Sequence, residues 1–295
     1  MSRWLRGFRN NRNVDNRNLD NRTLDAQGGA EESAAAFAEP EPASDAVPGT
    51  LPATIVALDI ETTGQHSTDR LVSIAAVRIE TAALAADQLR VRPLHLIFDP
   101  GRKCDSVFEA AHGYDDWLLR HQSSFEDYAD DIVGFLASAQ LIVAHNLAFK
   151  LGFLSRELAR VGRRLPSTTT HCAATAYREL NLSGGISLDA ACRQLDVDRP
   201  ARLTTTFAEA WLTLGVYLRL NKVSAHYDLP DGLVFPPTNL RKAPPKPAGN
   251  LPPRAAPGLP PASLPSAAML DTGWRTVRLS DLQGDGVVHQ ERKLA

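Results

Sequence analysis

Asp59-Ile60-Glu61 sets two carboxylates at i and i+2, at the end of an apolar run over residues 54–58. Alternate residues of a strand project to one face, so both acids leave the strand end together and form a site for a hard cation. Thr62-Thr63-Gly64 follows, with two hydroxyls and a residue lacking Cβ, which lets the backbone approach whatever the acids hold. A further acid, Glu209, closes Thr206-Phe-Ala-Glu209, the spacing of a capping box at a helix start. Phe207, Trp211, Leu214 and Leu218 make one apolar stripe of that helix. Glu209 shares the opposite side with Leu212, Val216 and Leu220, a second apolar face rather than open water. His145-Asn146 stands where a short apolar run meets a helical repeat, and hydrogen bonding of that turn is its expected part. Cys104, Cys172 and Cys192 are widely spaced with no C-x-x-C, which suits a reducing compartment and supports neither a disulfide framework nor a structural zinc site.

These groups need a scaffold. Residues 54–60, 71–79 and 94–98 are β-branched or apolar runs separated by turn residues and read as three successive strands. Residues 125–137 have helical spacing and 141–144 form a short buried strand. Leu147, Leu151, Leu154 and Leu158 repeat as on one helix face, and further helices are expected at 173–180, 187–195 and 206–220. The implied class is α/β: three sequential strands, then alternating helices and strands, in a mixed sheet with helices on both faces.

The flanks read differently. Residues 1–50 form a polar, disordered tail with a pentad repeated three times, starting at Asn11, Asn16 and Asn21. Residues 51–222 are the folded unit. Residues 223–268 hold the 12 prolines between Pro230 and Pro265, which describes an extended linker that does not pack. Residues 269–295, with Trp274, Val277, Leu279 and Leu282, are either a docking segment or a frayed end. A net charge of −2 gives no global pull toward nucleic acid or an anionic membrane. No uninterrupted apolar stretch spans a bilayer and the first nine residues lack an apolar signal core, so no membrane association is expected and the expected location is the cytoplasm.

Asp59-Ile-Glu-Thr-Thr-Gly64 after an apolar strand resembles the first motif of the DnaQ-like, or DEDD, 3′ to 5′ exonucleases of the ribonuclease H-like fold. Residues 71–77 look like that family's second strand, and His112-Gly113 like the pair before its first helix. Ile142-Val-Ala-His-Asn-Leu-Ala-Phe149 is similar to its second motif, and residues 202–220 with Glu209 resemble its third. The resemblance covers about residues 53–221. It implies a ribonuclease H-like sheet, a single-stranded 3′ end of DNA or RNA as the substrate, and divalent ions, Mg²⁺ or Mn²⁺, held by four acids. Asp59, Glu61 and Glu209 are the implied catalytic and metal-binding residues. Thr62, Thr63, Gly64, His145, Asn146 and Lys150 are the implied substrate contacts. By the same analogy, a tail beyond the nuclease domain docks on a polymerase or another protein.

Three positions depart from the family pattern. Lys150 stands where the third acid belongs, Glu209 replaces an aspartate, and Thr204 occupies the position of the general base, five residues before Glu209. Three carboxylates and one ammonium sum to −2, which suits one divalent ion rather than two. An ammonium about 5 Å from such an ion, at an effective dielectric of about 20, is repelled by roughly 6 to 7 kcal/mol before relaxation. Two placements are open to Lys150: its ammonium pairs with Asp59 or Glu61 in a metal's stead, or its stem swings into solvent. A threonine hydroxyl accepts no proton near neutral pH, and His171 or His112 are substitutes only if another loop brings them in. The expected function is a 3′–5′ exonuclease-family protein that acts on or binds 3′ ends with hydrolysis weakened or lost. The alternatives are an inactive adaptor for a polymerase or other partner, and a one-metal phosphodiesterase on short oligonucleotides with Lys150 on phosphate.

Overall fold

A computed structural model describes residues 51–86, 88–180, 185–197, 206–223, 237–254 and 273–278. The N-terminal pentads and Thr204 lie outside the described residues. β1 (Thr54–Thr62) runs through the middle of a six-stranded sheet of order β5-β4-β1-β2-β3-β6. It pairs antiparallel with β2 (Leu71–Glu80), which pairs antiparallel with β3 (Gln88–Ile97). On its other side β1 lies parallel to β4 (Leu141–Ala144), and β4 parallel to β5 (Thr169–Cys172). Three sequential strands followed by parallel strands reached through helices is the ribonuclease H-like mixed sheet that the sequence leads one to expect.

The alternation of β1 explains why it is central. Ile55 and Ala57 face one core layer with Ala75, Val77, Leu89 and Val91, beneath α7 (Thr206–Leu220). Val56, Leu58 and Ile60 face the other layer, against Ile132 and Leu136 of α3 (Ala129–Ala137) and Phe153, Leu154 and Leu158 of α4 (Leu147–Arg160). Burying each of the larger side chains contributes roughly 2 kcal/mol, above the spread of about 1 kcal/mol in intrinsic strand propensity, so packing on two faces fixes this strand. Helix α7 is buried on nearly every side, with α5 (Ala173–Glu179) and α6 (Leu188–Gln194) beside it. The short helix α1 (Ser106–His112) contacts β1, and Leu119 of α2 (Asp116–Leu119) packs with Val72 and Ile97. No helix among the described residues is long and apolar enough to cross a membrane.

Several expectations change. β3 begins at Gln88, ahead of the apolar run at 94–98, because Arg90 and Arg92 alternate with buried Leu89 and Val91. The segment at 125–137 opens with a 3-10 turn, Glu126–Tyr128, before α3. β5 was absent from the sequence reading: its residues Thr-Thr-His-Cys are only partly buried, and backbone pairing to β4 rather than apolar content makes the strand.

The largest correction concerns the proline-rich segment, expected not to pack. Residues 237–254 lie on the domain. The Ile97 N–H donates to Asn239 Oδ1 at 2.9 Å, and Asn239 Nδ2 donates to the Ile97 carbonyl at 2.7 Å, with Asn239 buried. The Thr238 N–H donates to the His95 carbonyl at 2.8 Å, and Gln122 is bonded to both backbone groups of Arg241. Trp117 Nε1 donates to the Pro244 carbonyl, Lys246 pairs with Asp115, and Arg254 pairs with Asp99 and Asp116. Prolines do not prevent this, because an extended strap needs carbonyl acceptors and a few anchoring side chains rather than a continuous ladder of N–H donors.

Part of the segment at 269–295, expected to dock on a partner or fray, is also placed on this chain. β6 (Arg275–Arg278) pairs antiparallel with Gln88–Val91 of β3, and Trp274 lies under the guanidinium groups of Arg78 and Arg90 at 5.2 and 5.0 Å. The outer edge of β3 is thus covered by β6 over residues 88–91 and by the strap at 95 and 97. Pro93 falls between, on the same outward register as Val91 and His95, where a missing N–H breaks no ladder bond. Replacing Asn239 by Ala leaves both backbone groups of Ile97 without their partner. The expected cost is about 2 kcal/mol, read from the urea midpoint, together with faster amide hydrogen exchange at Ile97.

Candidate active site

The acids at the end of β1 meet the first turns of two helices. Asp59 is buried on the α7 side of the sheet, in register with Ala75, and Glu61 is in register with Ser73 before a bulge at Thr62. Ser73 and Thr206 share a hydrogen bond between hydroxyls at 2.9 Å, which ties the first residue of α7 to β2. That contact sets Glu209, half-buried in the first turn of α7, opposite Glu61. The capping-box spacing points to Thr206, but its Ser73 partner is a tertiary contact that no local pattern carries.

The loop after the acids is built from its own residues. Thr62 Oγ1 donates to the Gly64 carbonyl at 2.7 Å, and Thr63 Oγ1 donates to Asp69 Oδ1 at 2.9 Å while accepting from the Arg70 N–H. Both threonines are buried, and their hydroxyls brace the turn. Gly64 is required for a related reason: a Cβ there would lie 2.4 Å from Asp69 Oδ2. Asp69 also accepts from the His66 N–H and pairs with Arg102 at 3.1 Å. Beneath this loop Glu157 of α4 is buried, accepting from Arg70 Nε at 2.8 Å, the Leu71 N–H at 3.1 Å and an Arg160 guanidinium N–H at 2.7 Å. Reading by motif missed Asp69 and Glu157, which stand outside the motif residues but hold the motif's loop in place.

Lys150 enters from the other side. Asn146, at φ 60° and ψ 58°, turns the chain from β4 into α4, and His145 Nε2 donates to the Ile186 carbonyl at 2.8 Å. That bond matches the turn-fixing part expected of His145. One turn into α4, the Lys150 ammonium makes an ion pair with Asp59 Oδ1. The two side chains are 15% and 4% exposed, so the pair is little screened by water. Of the two placements open to Lys150, the structure shows the first.

Burial, and next the Glu209 carboxylate, push Glu61 up to about 8, so its carboxyl tends to hold a proton near neutral pH. The histidines that the sequence leaves open as bases have partners of their own. His171 packs edge-on to Tyr217 at 5.1 Å, eight residues and roughly 12 Å along α7 from Glu209. His112 is buried in the last turn of α1, accepting from the Tyr114 N–H at 3.1 Å and stacked on that ring.

Residues 56–202 match the RNase_T family, described as Exonuclease. The chain is 28% identical over 176 residues to the DNA polymerase III subunit epsilon of Escherichia coli strain K12, across 56% of this chain and 70% of that protein. It carries an exonuclease domain of this DnaQ-like family, homologous to the epsilon subunits. The 3′-5′ exonuclease DinG of Bacillus subtilis strain 168 is 30% identical over 113 residues, 38% of this chain and 11% of that one. Among solved structures, the zinc-bound form of an E. coli ExoI–ssDNA complex matches with a TM-score of 0.49 at 14% identity, covering 58% of this chain and 40% of that chain. This chain therefore spans less than half the length of that nuclease.

DnaQ-like exonucleases depend on divalent metal. The arrangement here does not fit such an ion. The carboxylate that leads the site is engaged by an ammonium. Among the described residues no three Asp, Glu, His or Cys side chains gather as a metal-holding group. The expectation that Asp59, Glu61 and Glu209 jointly ligate an ion meets the Lys150 ammonium at its first residue.

A buried pair behaves asymmetrically. Lys150→Met or Asp59→Leu alone leaves an uncompensated buried charge, with an expected loss of roughly 3 kcal/mol each, whereas the double variant recovers most of that loss. A double-mutant cycle by urea denaturation checks this. His112 supplies a pH dependence. Burial lowers it from the usual 6.5 to about 4, so between these values the unfolded chain binds a proton that the folded chain refuses, and stability falls as pH falls through that window. The expected loss is at most roughly 3 kcal/mol. It is read as the difference in acid sensitivity between wild type and His112→Gln.

Proposed function

We propose that this domain binds the 3′ ends of single-stranded nucleic acid and that hydrolysis is weakened or lost. The observation that carries the reading is the Lys150–Asp59 ion pair within an exonuclease-family domain. Homology to the epsilon subunits and to a protein named as a 3′-5′ exonuclease supports the substrate class and polarity.

The site residues support binding better than cleavage. A cluster of free carboxylates repels a phosphate. Here Asp59 is neutralised by Lys150, and Glu61 favours its protonated form, which leaves Glu209 as the main negative charge. Hydrolysis needs a group to take the proton of the attacking water. Asp59 is held in an ion pair, His145 Nε2 carries its proton toward Ile186, His171 packs on Tyr217, and His112 accepts from the Tyr114 N–H.

The test compares binding of the full chain to linear single strands, to circular single strands of the same composition, and to 3′-phosphorylated strands, for both DNA and RNA. Digestion of the linear strands with Mg²⁺ or Mn²⁺ is run alongside. Linear strands with a free 3′ hydroxyl are expected to bind most tightly. Cleavage is expected to lie at least about 100-fold below that of the variant Lys150→Asp with Thr204→His, the scale of a missing general base. Equal binding of linear and circular strands would remove the 3′-end reading. Wild-type cleavage abolished by Asp59→Asn would show a working nuclease.

A further inference from the structure

We infer that the Lys150 ammonium is a built-in substitute for the divalent ion, so that this site works as a metal-free phosphate-end site and stays indifferent to Mg²⁺ and Mn²⁺. This rests on the reading of the domain as a binder of nucleic-acid ends, and it says what neutralises that site. Three features carry it.

The position of the cation is fixed by backbone. Lys150 follows β4 through one left-handed residue, Asn146, and the turn is pinned by the His145 bond to Ile186. The Lys150 N–H also donates to the Asn146 carbonyl at 3.3 Å within the first turn of α4. The ammonium is therefore delivered to the end of β1 by the same segment that would deliver an acid in the family pattern. Being tethered, it competes at an effective concentration that a dissolved ion must exceed.

The carboxylate it meets is the one an ion needs most. Asp59 is the more deeply buried of the two acids on β1. An ion arriving at Asp59 must expel the ammonium into a setting where the lysine side chain is 15% exposed, or sit beside a like charge. Either route disfavours the ion.

The chemistry left is that of a lysine near phosphate. An ammonium is a compact point charge that suits phosphate oxygens without demanding the fixed octahedral geometry of Mg²⁺. Replacing one acid of the family's four by an ammonium takes the formal charge of the set from −4 to −2, which weakens its pull on a divalent ion.

The decisive experiment needs no variant. Metal-stripped full chain is titrated with Mn²⁺ while free Mn²⁺ is followed by electron paramagnetic resonance and thermal unfolding is recorded with and without the ion. Wild type is expected to take up no Mn²⁺ in the millimolar range and to show no shift in Tm. Its affinity for a linear oligonucleotide is expected to be equal, within twofold, in EDTA and in Mg²⁺. Lys150→Asp and the milder Lys150→Gln, each first shown to be folded by circular dichroism, are expected to gain Mn²⁺ uptake and a Tm that rises with the ion. Mn²⁺ uptake by the wild type that disappears in Asp59→Asn would overturn the inference, as would oligonucleotide binding that requires Mg²⁺. Silence toward oligonucleotides with the Mn²⁺ results as expected would remove the nucleic-acid reading and leave the substitution of metal by Lys150 supported.

Discussion

A strand packed on both faces cannot end in carboxylates unless something answers their charge, and the arrangement of the whole site follows from that constraint. β1 is held in the middle of the sheet by apolar residues that alternate between two core layers, so the same period that buries Ile55 and Ala57 carries Asp59 and Glu61 to the α7 side. At that end water is scarce. The answering charge comes from Lys150, and the second acid is left beside Glu209 with a raised proton affinity. Neither adjustment is local in sequence, since α4 and α7 reach the strand end from nearly a hundred and about a hundred and fifty residues away.

The supporting loop obeys the same rule. Thr63, Asp69, Arg70 and Glu157 form a chain of buried or half-buried polar groups in which each acceptor meets a donor, and Gly64 is the position where the backbone passes too close to Asp69 for a side chain. In a family whose chemistry asks for acids at fixed separation, such a loop sets where β1 stops. Lys150 alters the charge at the strand end without touching the bonds of the loop, because the two depend on different atoms.

Much of this was legible in the sequence, for identifiable reasons. The sheet's central strands, α4 and α7 announce themselves by apolar period, and the Asp59 to Gly64 run points to the site. Lys150 was visible as a wrong charge at a motif position, though only the fold shows that it reaches Asp59 and not solvent. What could not be read were features made by pairing distant backbone. β5 is a polar tetrapeptide that becomes a strand because Ala144 and its neighbours offer a free edge. The strap at 237–254 has the composition of a linker, and it packs through Asn239, Gln122 and Arg254, whose partners lie more than a hundred residues away. Nor does the sequence show that the Thr62 and Thr63 hydroxyls bond within their own turn, because hydroxyls in a motif carry no sign of which way they point.

The covering of β3 has a bearing on how the chain is made. The strands β1 to β5 and all the helices described are complete before residue 221, yet among the described residues the outer edge of β3 gains its partners from residues 238–239 and 275–278. During synthesis a nearly finished sheet therefore emerges with one bare ladder. Its closure waits on contacts of very long sequence separation, the slowest kind to form. In that interval Leu89, Val91 and Ile97 present an unoccupied strand template to neighbouring nascent chains. The strap and β6 act as the late seal on a kinetic window in which crowding and temperature bear most on yield.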